Sequence, residues 1–280
     1  MTVRSTSVDC CHTHEAPCDG RCFAITMMTS LRLSFCAFGA VVGLLALGKS
    51  ACAADDLPDP ALTEYWEPVP PVVSVPADTG IPSDAIVLFD GKSLESWEPV
   101  KEGSSGWKIE NGTMVVVPKA GMIRTKQAFG DVQLHLEFQT PTPPQGDSQK
   151  RGNSGVFFME LYELQVLDSY QNPTYVNGQA GSIYKQYPPL VNASRPPGEW
   201  QTYDVVFTAP VFGPDGLMKI PAYVTAFHNG VLVQNHVELK GPTEFRGYPA
   251  YKPHPARLPL ALQDHRNPLR FRNLWVRPLN

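Results

Sequence analysis

Carboxylate and amide residues interrupt an apolar stretch of the chain, RGNSGVFFMELYELQVLDS at 151–169. Carboxylates held among apolar side chains can act as general acids or bases, or as metal ligands. Side chains two residues apart share one face of a β-strand. A strand through this stretch therefore places Glu163 and Gln165 side by side on one face. Tyr162 and Leu164 then point the other way, toward a core.

The segment before this strand extends the same polar face. Asn153 and Phe157 share one side of a preceding strand. Antiparallel pairing of the two strands brings Arg151 and Asn153 close to Glu163, while Glu160 falls at the bend between the strands. The pattern predicts a polar binding surface on a curved sheet. The alternative is that this face is merely solvated, as one side of many antiparallel sheets is.

A histidine near the C-terminal end supplies a second group with proton-transfer chemistry. In LALQDHRNPLRFRNLWV, at 260–276, Gln263 and His265 fall on the face opposite Leu260 and Leu262. Imidazole accepts and donates protons near neutral pH, which suits general acid–base catalysis. The alternative is a structural histidine at the entrance of a loop.

Short strands separated by Gly, Pro and Asn-Gly turns must position these groups. Asn111-Gly112 and Asn229-Gly230 are typical of tight type I′ hairpins. No segment after residue 54 carries a helical stripe longer than two turns. The pattern therefore predicts an all-β fold, either a sandwich of two antiparallel sheets or a barrel. The main predicted strands are 85–90, 107–110, 113–117, 131–140, 200–209, 222–229, 231–239, 258–264 and 269–278.

The first 53 residues differ from the rest of the chain. Three features predict a signal peptide over 1–53: a basic residue, an apolar run of roughly 15 residues, and Ala-Cys-Ala at 51–53. A misassigned start codon explains the presence of residues 1–26. The six cysteines fall in this segment, four of them in a cluster at 10–22 that imitates a zinc site. We therefore expect a periplasmic or secreted mature chain without cysteine or membrane span. Residues 54–84, dense in Pro, predict a linker or arm.

The charge of the chain excludes one class of partner. The formal net charge is −4 at pH 7. Removing residues 1–53 takes away four basic and three acidic residues, which leaves 19 basic against 24 acidic residues. Because no basic stripe remains, nucleic acid is not an expected partner. The remaining chain of about 225 residues is long enough for one all-β domain with a buried core.

Four motifs make this domain resemble a known family. They are FDGKSLESW (89–97), RGNSGVFFM (151–159), the long run that begins YELQVLDSY at 162, and LALQDHRNPLRFRNLWV (260–276). Together they resemble the 3-keto-disaccharide hydrolase domain family over 85–280. The resemblance implies an all-β, concanavalin A-like (jelly-roll) sandwich of two antiparallel sheets.

The resemblance also implies a reaction. Characterised members of the family act on glycosides already oxidised to a ketone at the third carbon of the sugar. The ketone acidifies the C2 proton, a base removes that proton, the enolate expels the C1 group, and water then adds. The implied partners are therefore a carbohydrate substrate and a sugar 3-dehydrogenase that acts upstream. The resemblance further implies a divalent metal ion as a candidate cofactor, since some members of the family use one.

By matching motifs, the resemblance assigns roles to individual residues. Glu163 and His265 become the acid–base pair, and Arg151 becomes a candidate for stabilising the enolate charge. Arg266 follows the Gln-Asp-His run where the family often has Gly, and a bulky side chain there would either narrow the substrate range or mark a member that has lost activity. The sugar would be positioned by Arg151, Asn153, Gln165, Tyr184 and Gln263. The candidate ligands of a divalent ion are Glu163, Asp168 and His265.

Other functions fit parts of the same pattern. A non-catalytic carbohydrate-binding β-sandwich module would use the polar face together with an aromatic platform, for which Trp97, Trp107 and Trp200 are available. An interaction domain in a surface assembly would use the proline-rich arm as its tether. A laminarinase-like enzyme is disfavoured, because Glu160 and Glu163 are three residues apart and lie on opposite faces of a continuous strand.

Overall fold

The computed structural model describes residues 58–104 and 106–279. The chain divides into two units, Met1–Glu67 and Pro68–Asn280. The described part of the first unit contains a short 3-10 helix, Pro60–Thr63. The predicted signal peptide, its cysteines and the zinc-like cluster lie outside the described residues, so they stay predictions. None of the helices in the described ranges is long and apolar enough to cross a membrane.

The second unit is built almost entirely from β-strands. Two further 3-10 turns occur in it, Ser148–Lys150 and Val176–Gly178. Within the described ranges the strands are β1 Ile86–Phe89, β2 Trp97–Pro99, β3 Lys108–Glu110, β4 Thr113–Val115, β5 Ile123–Phe129, β6 Val132–Gln139, β7 Ser154–Phe158, β8 Tyr162–Val166, β9 Trp200–Thr208, β10 Val211–Phe212, β11 Met218–Ile220, β12 Tyr223–His228, β13 Val231–Glu238, β14 Leu258–Leu262 and β15 Arg270–Pro278.

The strands form two main antiparallel sheets. One has the order β13-β12-β9-β6-β15-β4-β3, with β1 paired to β15, and the other has the order β2-β5-β14-β7-β8. Strands β10 and β11 form a separate two-stranded sheet. This arrangement confirms the predicted concanavalin A-like, all-β sandwich, and we call its sheets the large sheet and the small sheet.

The core lies between the two sheets because alternate side chains on each strand point inward. On β6, Leu134, Leu136 and Phe138 are fully buried while the intervening residues are partly exposed. From the small sheet, Phe158 stacks on Phe207 of the large sheet with ring centroids 4.7 Å apart. Burying an apolar side chain of this size contributes about 1.5–3 kcal/mol. These contacts fix which face of the small sheet is turned away from the core.

The two predicted Asn-Gly hairpins are present. Asn111 and Gly112 have φ values of 50° and 72°, and Asn229 and Gly230 have φ values of 53° and 78°. A type I′ turn needs positive φ at both central residues, and Asn and Gly adopt it at low cost. The turns therefore confirm the hairpins between β3 and β4 and between β12 and β13.

Sequence patterns missed two strands of the small sheet, β2 and β5. The alternation along β5 fails at Lys126 and Gln127, which are both exposed. The register between β5 and β14 shifts between Pro259 and Ala261, which marks an irregularity in the pairing. A slip of this kind carries consecutive side chains out of the strict two-residue period, so the pattern could not reveal the strand.

Candidate active site

The polar side chains of β8 lie on the outer face of the small sheet. In the antiparallel register of β7 and β8, Phe157 lies opposite Glu163, and Gly155 lies opposite Gln165. Tyr162 and Leu164 belong to the core cluster on the other face. The alternation read from the sequence therefore matches the face that each of these side chains occupies.

A cleft of about 630 Å³ opens on this outer face. It takes residues from β7 and β8, from the segment just after β14, and from loops that pass over the sheet. The carboxylate of β8 and the distant histidine, Glu163 and His265, both line it. Of the predicted sugar-positioning residues it contains Asn153, Gln165, Tyr184 and Gln263.

Glu163 is the most deeply buried ionisable group of the cleft. It is 4% exposed, and this burial raises its pKa from 4.5 to about 8. The absence of a side chain at Gly155 makes room for it, because a Cβ there would lie 2.5 Å from Glu163 Oε1. Its backbone N–H donates to the hydroxyl of Thr243 at 2.9 Å. The site therefore holds a desolvated carboxyl that is largely protonated near pH 7.

Two amide side chains lie beside Glu163 in the floor of the cleft. The Gln165 amide nitrogen, in the orientation that satisfies its neighbours, donates to Glu163 Oε1 at 3.0 Å and to the carbonyl of Ser154 at 3.3 Å. The Gln149 amide nitrogen donates to the carbonyl of Gly178 at 2.8 Å. Gln165 therefore holds the carboxyl of Glu163 in position within the cleft.

Aromatic rings enclose the carboxyl side of the cleft. The hydroxyls of Tyr175 and Tyr184 are 2.7 Å apart, and burial raises the pKa of both phenols. The Tyr184 backbone N–H donates to the carbonyl of Glu163 at 3.2 Å, which fixes the second ring beside β8. Phe245 stands at the rim and is 65% exposed, with the ammonium of Lys185 4.2 Å from its ring centroid. A sugar ring has apolar faces that stack well on such rings.

His265 is presented by a tight turn after β14. Gln263 continues the sheet for one residue, because its N–H donates to the carbonyl of Gly155 at 3.0 Å. Asp264 then accepts from the N–H groups of Gly121 and Arg266 at 3.0 and 2.7 Å. This turn leaves His265 exposed at the edge of the cleft.

The residue after the histidine adopts a backbone conformation that suits glycine. Arg266 has a φ of 67°, in the left-handed region. A residue with a Cβ pays roughly 1–2 kcal/mol there. A glycine would adopt this conformation without that cost. The chain therefore carries some backbone strain at Arg266.

Arg151 and Asp168 lie apart from the residues that line the cleft. Arg151 Nε donates to Asp168 Oδ2 at 2.7 Å, and its Nη2 donates to the carbonyl of Tyr170 at 3.0 Å. Asp168 is 1% exposed and also accepts from the Tyr170 N–H. Gly152, with a φ of 54°, turns the chain before β7 and so ends the strand alternation. The pair ties down a loop, and it is not placed to stabilise an enolate or to share a metal ion with Glu163.

The cleft contains two of the predicted ligands of a divalent ion. Glu163 and His265 are two donors, and a protein site for a catalytic divalent ion commonly uses three. Among the residues that the structure describes, no group of three or more His, Cys, Asp or Glu side chains could hold a metal ion. The metal ion stays a prediction, and no step below passes through it.

The cleft contains further residues to which the sequence patterns assigned no role. These are Gln149, Phe157, Tyr175, Thr243 and Phe245. Of these, only Phe157 carried a signal, because it shares a strand face with Asn153. The loop residues have no periodicity from which a position can be inferred.

Comparison with known proteins places the chain in a family. Residues 84–277 match the family model described as a 3-keto-alpha-glucoside-1,2-lyase-like domain. The chain belongs to this family. The resemblance that the four motifs indicated is thereby confirmed. No curated protein matches the chain.

Two solved structures of candidate glycosyl hydrolases from Parabacteroides distasonis are similar to this lyase-like domain protein. One is 51% identical, covers 79% of this chain and 97% of its own, and has a TM-score of 0.75. The other is 21% identical, covers 70% of this chain and 94% of its own, and has a TM-score of 0.52, which shows a shared fold. Family membership and the first of these structures support a carbohydrate-active protein.

Proposed function

We propose that this protein cleaves 3-keto-glycosides by elimination followed by hydration. The observation that carries the proposal is the shared cleft of Glu163 and His265, one desolvated and one exposed. A base and an acid are the two groups that the elimination requires. The family match supports a sugar as the substrate class.

Glu163 acts first, as the base. Its ionised carboxylate takes the C2 proton of the 3-keto sugar, and the electron pair of the C2–H bond moves into an enolate with the C3 carbonyl. A carboxylate with a pKa of about 8 is a stronger base than an ordinary one, and it is ionised just above neutral pH. Since the cleft excludes water from this group, the proton transfer meets little competition from solvent.

The enolate then collapses and the bond between C1 and the leaving oxygen breaks. The electron pair of that bond goes to the leaving oxygen, which His265 protonates. The oxygen of a water molecule then adds to C1 of the resulting enone, one proton of that water goes to His265, and Glu163 returns its proton to C2. The net reaction is hydrolysis, and both catalytic groups end in the protonation states in which they began.

Neutral amides are the groups placed to bind the oxygens of the sugar. The side-chain amide of Gln263 lines the cleft and has no intramolecular hydrogen bond among the described residues, so it is free to donate to substrate. Asn153 lines the same wall and donates to the carbonyl of Gln149 at 2.7 Å. Such donors stabilise a developing enolate when they are fixed before the reaction. In this proposal the two amides stabilise the enolate charge, which is the role predicted from the sequence for Arg151.

A carbohydrate-binding module without catalysis is the second candidate. The exposed rings at the rim, Tyr175 and Phe245, favour it, since a sugar can stack on them in either case. Trp97 and Trp107 do not serve as its platform, because both are buried in the core. Trp200 lies under the guanidinium of Arg272, 4.0 Å from its ring, which covers one of its faces.

Incubation of the purified protein with a panel of 3-keto-glucosides tests the proposal. We expect release of the C1 group from keto-glucosides and none from the matching unoxidised glucosides, because only the ketone acidifies the C2 proton. Parallel reactions with a chelator test the predicted metal ion. Binding without release, unchanged by Glu163→Gln, would identify the protein as a binding module.

The substrate implies its source and its compartment. A C3-ketone on a sugar must come from an oxidation at that carbon, so we propose an upstream sugar 3-dehydrogenase as the supplier. The predicted signal peptide places the reaction in the periplasm or outside the cell. Growth-medium and periplasmic fractions of the native host test that location.

A further inference from the structure

A second hollow of about 610 Å³ adjoins the cleft at His265, which lines both. The hollow is lined by Lys150, Asp264, His265, Arg266 and Asn267. We propose that it binds the leaving group and selects leaving groups that carry a negative charge. This inference rests on the proposed function, because it takes His265 as the acid that protonates the leaving oxygen.

The position of the hollow follows from that role. An acid must lie within hydrogen-bond reach of the oxygen it protonates. With the sugar above Glu163, the leaving oxygen faces His265, and whatever is attached to that oxygen extends past the imidazole. The space there is the hollow, and its volume falls within the range of small-molecule sites, about 300–1,000 Å³.

The charge of the hollow distinguishes it from the rest of the protein. Lys150 and Arg266 are exposed, and among the described residues neither side chain has an ion pair or a hydrogen bond. Asp264 directs both carboxylate oxygens at backbone N–H groups of its own turn and of Gly121. Two cations against one carboxylate leave a net charge of +1, whereas the whole chain carries −4.

Arg266 supplies one of the two positive charges of the hollow. The left-handed backbone at this residue favours glycine, so the arginine is held against a conformational preference. Its side chain makes no contact that stabilises the fold among the described hydrogen bonds and ion pairs, since only its backbone N–H is engaged there. Binding of a negatively charged leaving group would explain why an arginine occupies this position.

A pair of matched substrates tests the inference. They are aryl 3-keto-glucosides whose leaving groups are 4-carboxyphenol and 4-carbamoylphenol, which have similar size and differ in charge. Exposed ionic contacts are worth about 0.2–1 kcal/mol each. With two cations, we expect kcat/KM to favour the carboxylate substrate by roughly twofold to thirtyfold at low salt. The preference should decline as the salt concentration rises.

Two double variants test whether the hollow causes the preference for the carboxylate substrate. The double variant Lys150→Gln, Arg266→Gln should bring the ratio of the two kcat/KM values close to one. Glutamine keeps a Cβ at residue 266, so the backbone strain is unchanged. The double variant Lys126→Gln, Lys252→Gln is the control, since it removes two exposed lysines that line neither the cleft nor the hollow. It should leave the ratio as in the wild type.

Three results would each overturn a different part of the inference. Turnover of both substrates with equal kcat/KM at low salt overturns the hollow as a selective site and leaves the elimination standing. A preference that survives in the Lys150 and Arg266 double variant overturns the assignment to these cations. Absence of turnover with both substrates overturns the proposed function, and the leaving-group site falls with it.

Discussion

Replacing Glu163 by Gln should stabilise the protein while it abolishes turnover. The unfolded chain loses the Glu163 proton near pH 4.5, whereas burial holds it in the folded protein until about pH 8. Folding at pH 7 must therefore return a proton to the carboxyl, which costs about 3 kcal/mol at 1.36 kcal/mol for each of roughly 2.5 pH units. Gln is neutral at every pH and of similar shape, so the variant escapes this cost. Turnover should fall by a factor on the order of 10² or more, because the base is gone.

The pH dependence makes the prediction specific. A carboxyl whose folded pKa is raised loses stability as pH rises through the window from 4.5 to about 8. Urea unfolding should therefore show no advantage of the variant at pH 4. The advantage should be about 3 kcal/mol at pH 7 and about 5 kcal/mol above pH 8. For a domain of this size the pH 7 value corresponds to a rise in Tm of roughly 6–12 °C.

Glu160→Gln is the matched control. Glu160 lies in the turn before β8 and pairs with Arg124 at 3.4 Å, with its side chain 23% exposed. A partly exposed pair of this kind contributes about 1 kcal/mol or less, so the control should show only a small change in the free energy of unfolding at pH 7 and normal turnover. If Glu163→Gln instead lowered stability at pH 7, Glu163 would be an ionised and well-solvated group in the fold. The assignment of a desolvated base would then be wrong.

Four further outcomes follow from the same geometry. The kcat/KM value should rise as pH increases toward about 8, because Glu163 ionises over that range, and a profile flat from pH 6 to 8 would contradict its role as base. Gly155→Ala should lower kcat/KM by roughly 10²-fold, since the new Cβ displaces the carboxylate that sits 2.5 Å from its position. Tyr184→Ala should shift the midpoint of the pH profile downward by admitting water to Glu163, whereas Tyr184→Phe keeps the ring and should leave the midpoint near the wild-type value. Burial lowers the pKa of His228 to about 4, so stability is lost as pH falls from 6.5 to 4, by about 3 kcal/mol in urea unfolding. His228→Gln should lack that loss.

Strand alternation predicted the centre of the site because β7 and β8 are regular. Along β8 the side chains alternate between the core and the cleft, and the register with β7 has no shift. Glu163 and Gln165 therefore had to share the outer face once Tyr162 and Leu164 were assigned to the core. Gln263 followed from the same rule, since it continues the pairing of β14 with β7.

The same rule failed where the chain leaves the sheet. Arg151 was placed on the polar face by extending alternation through Gly152, whose positive φ turns the chain. Gln149, Thr243 and Phe245 reach the cleft from loops, whose course over the sheet depends on tertiary contacts. No local pattern carries that information, which is why the walls of the cleft were not predicted although its floor was.

The reactivity of the carboxyl depends on those loops more than on the sheet. A single row of paired residues crosses the outer face from Glu98 through Arg124, Ala261 and Phe157 to Glu163. At one end Glu98 keeps a side chain that is 41% exposed and pairs with Arg124 at 2.9 Å. At the other end Glu163, on the same face, is 4% exposed. Both carboxylates lie on the same face of the same sheet. The difference between a solvated ion and a desolvated base therefore comes from the segments that cover β8. Exchanging those segments on one β-sandwich can therefore change the chemistry of the site while the core stays as it is.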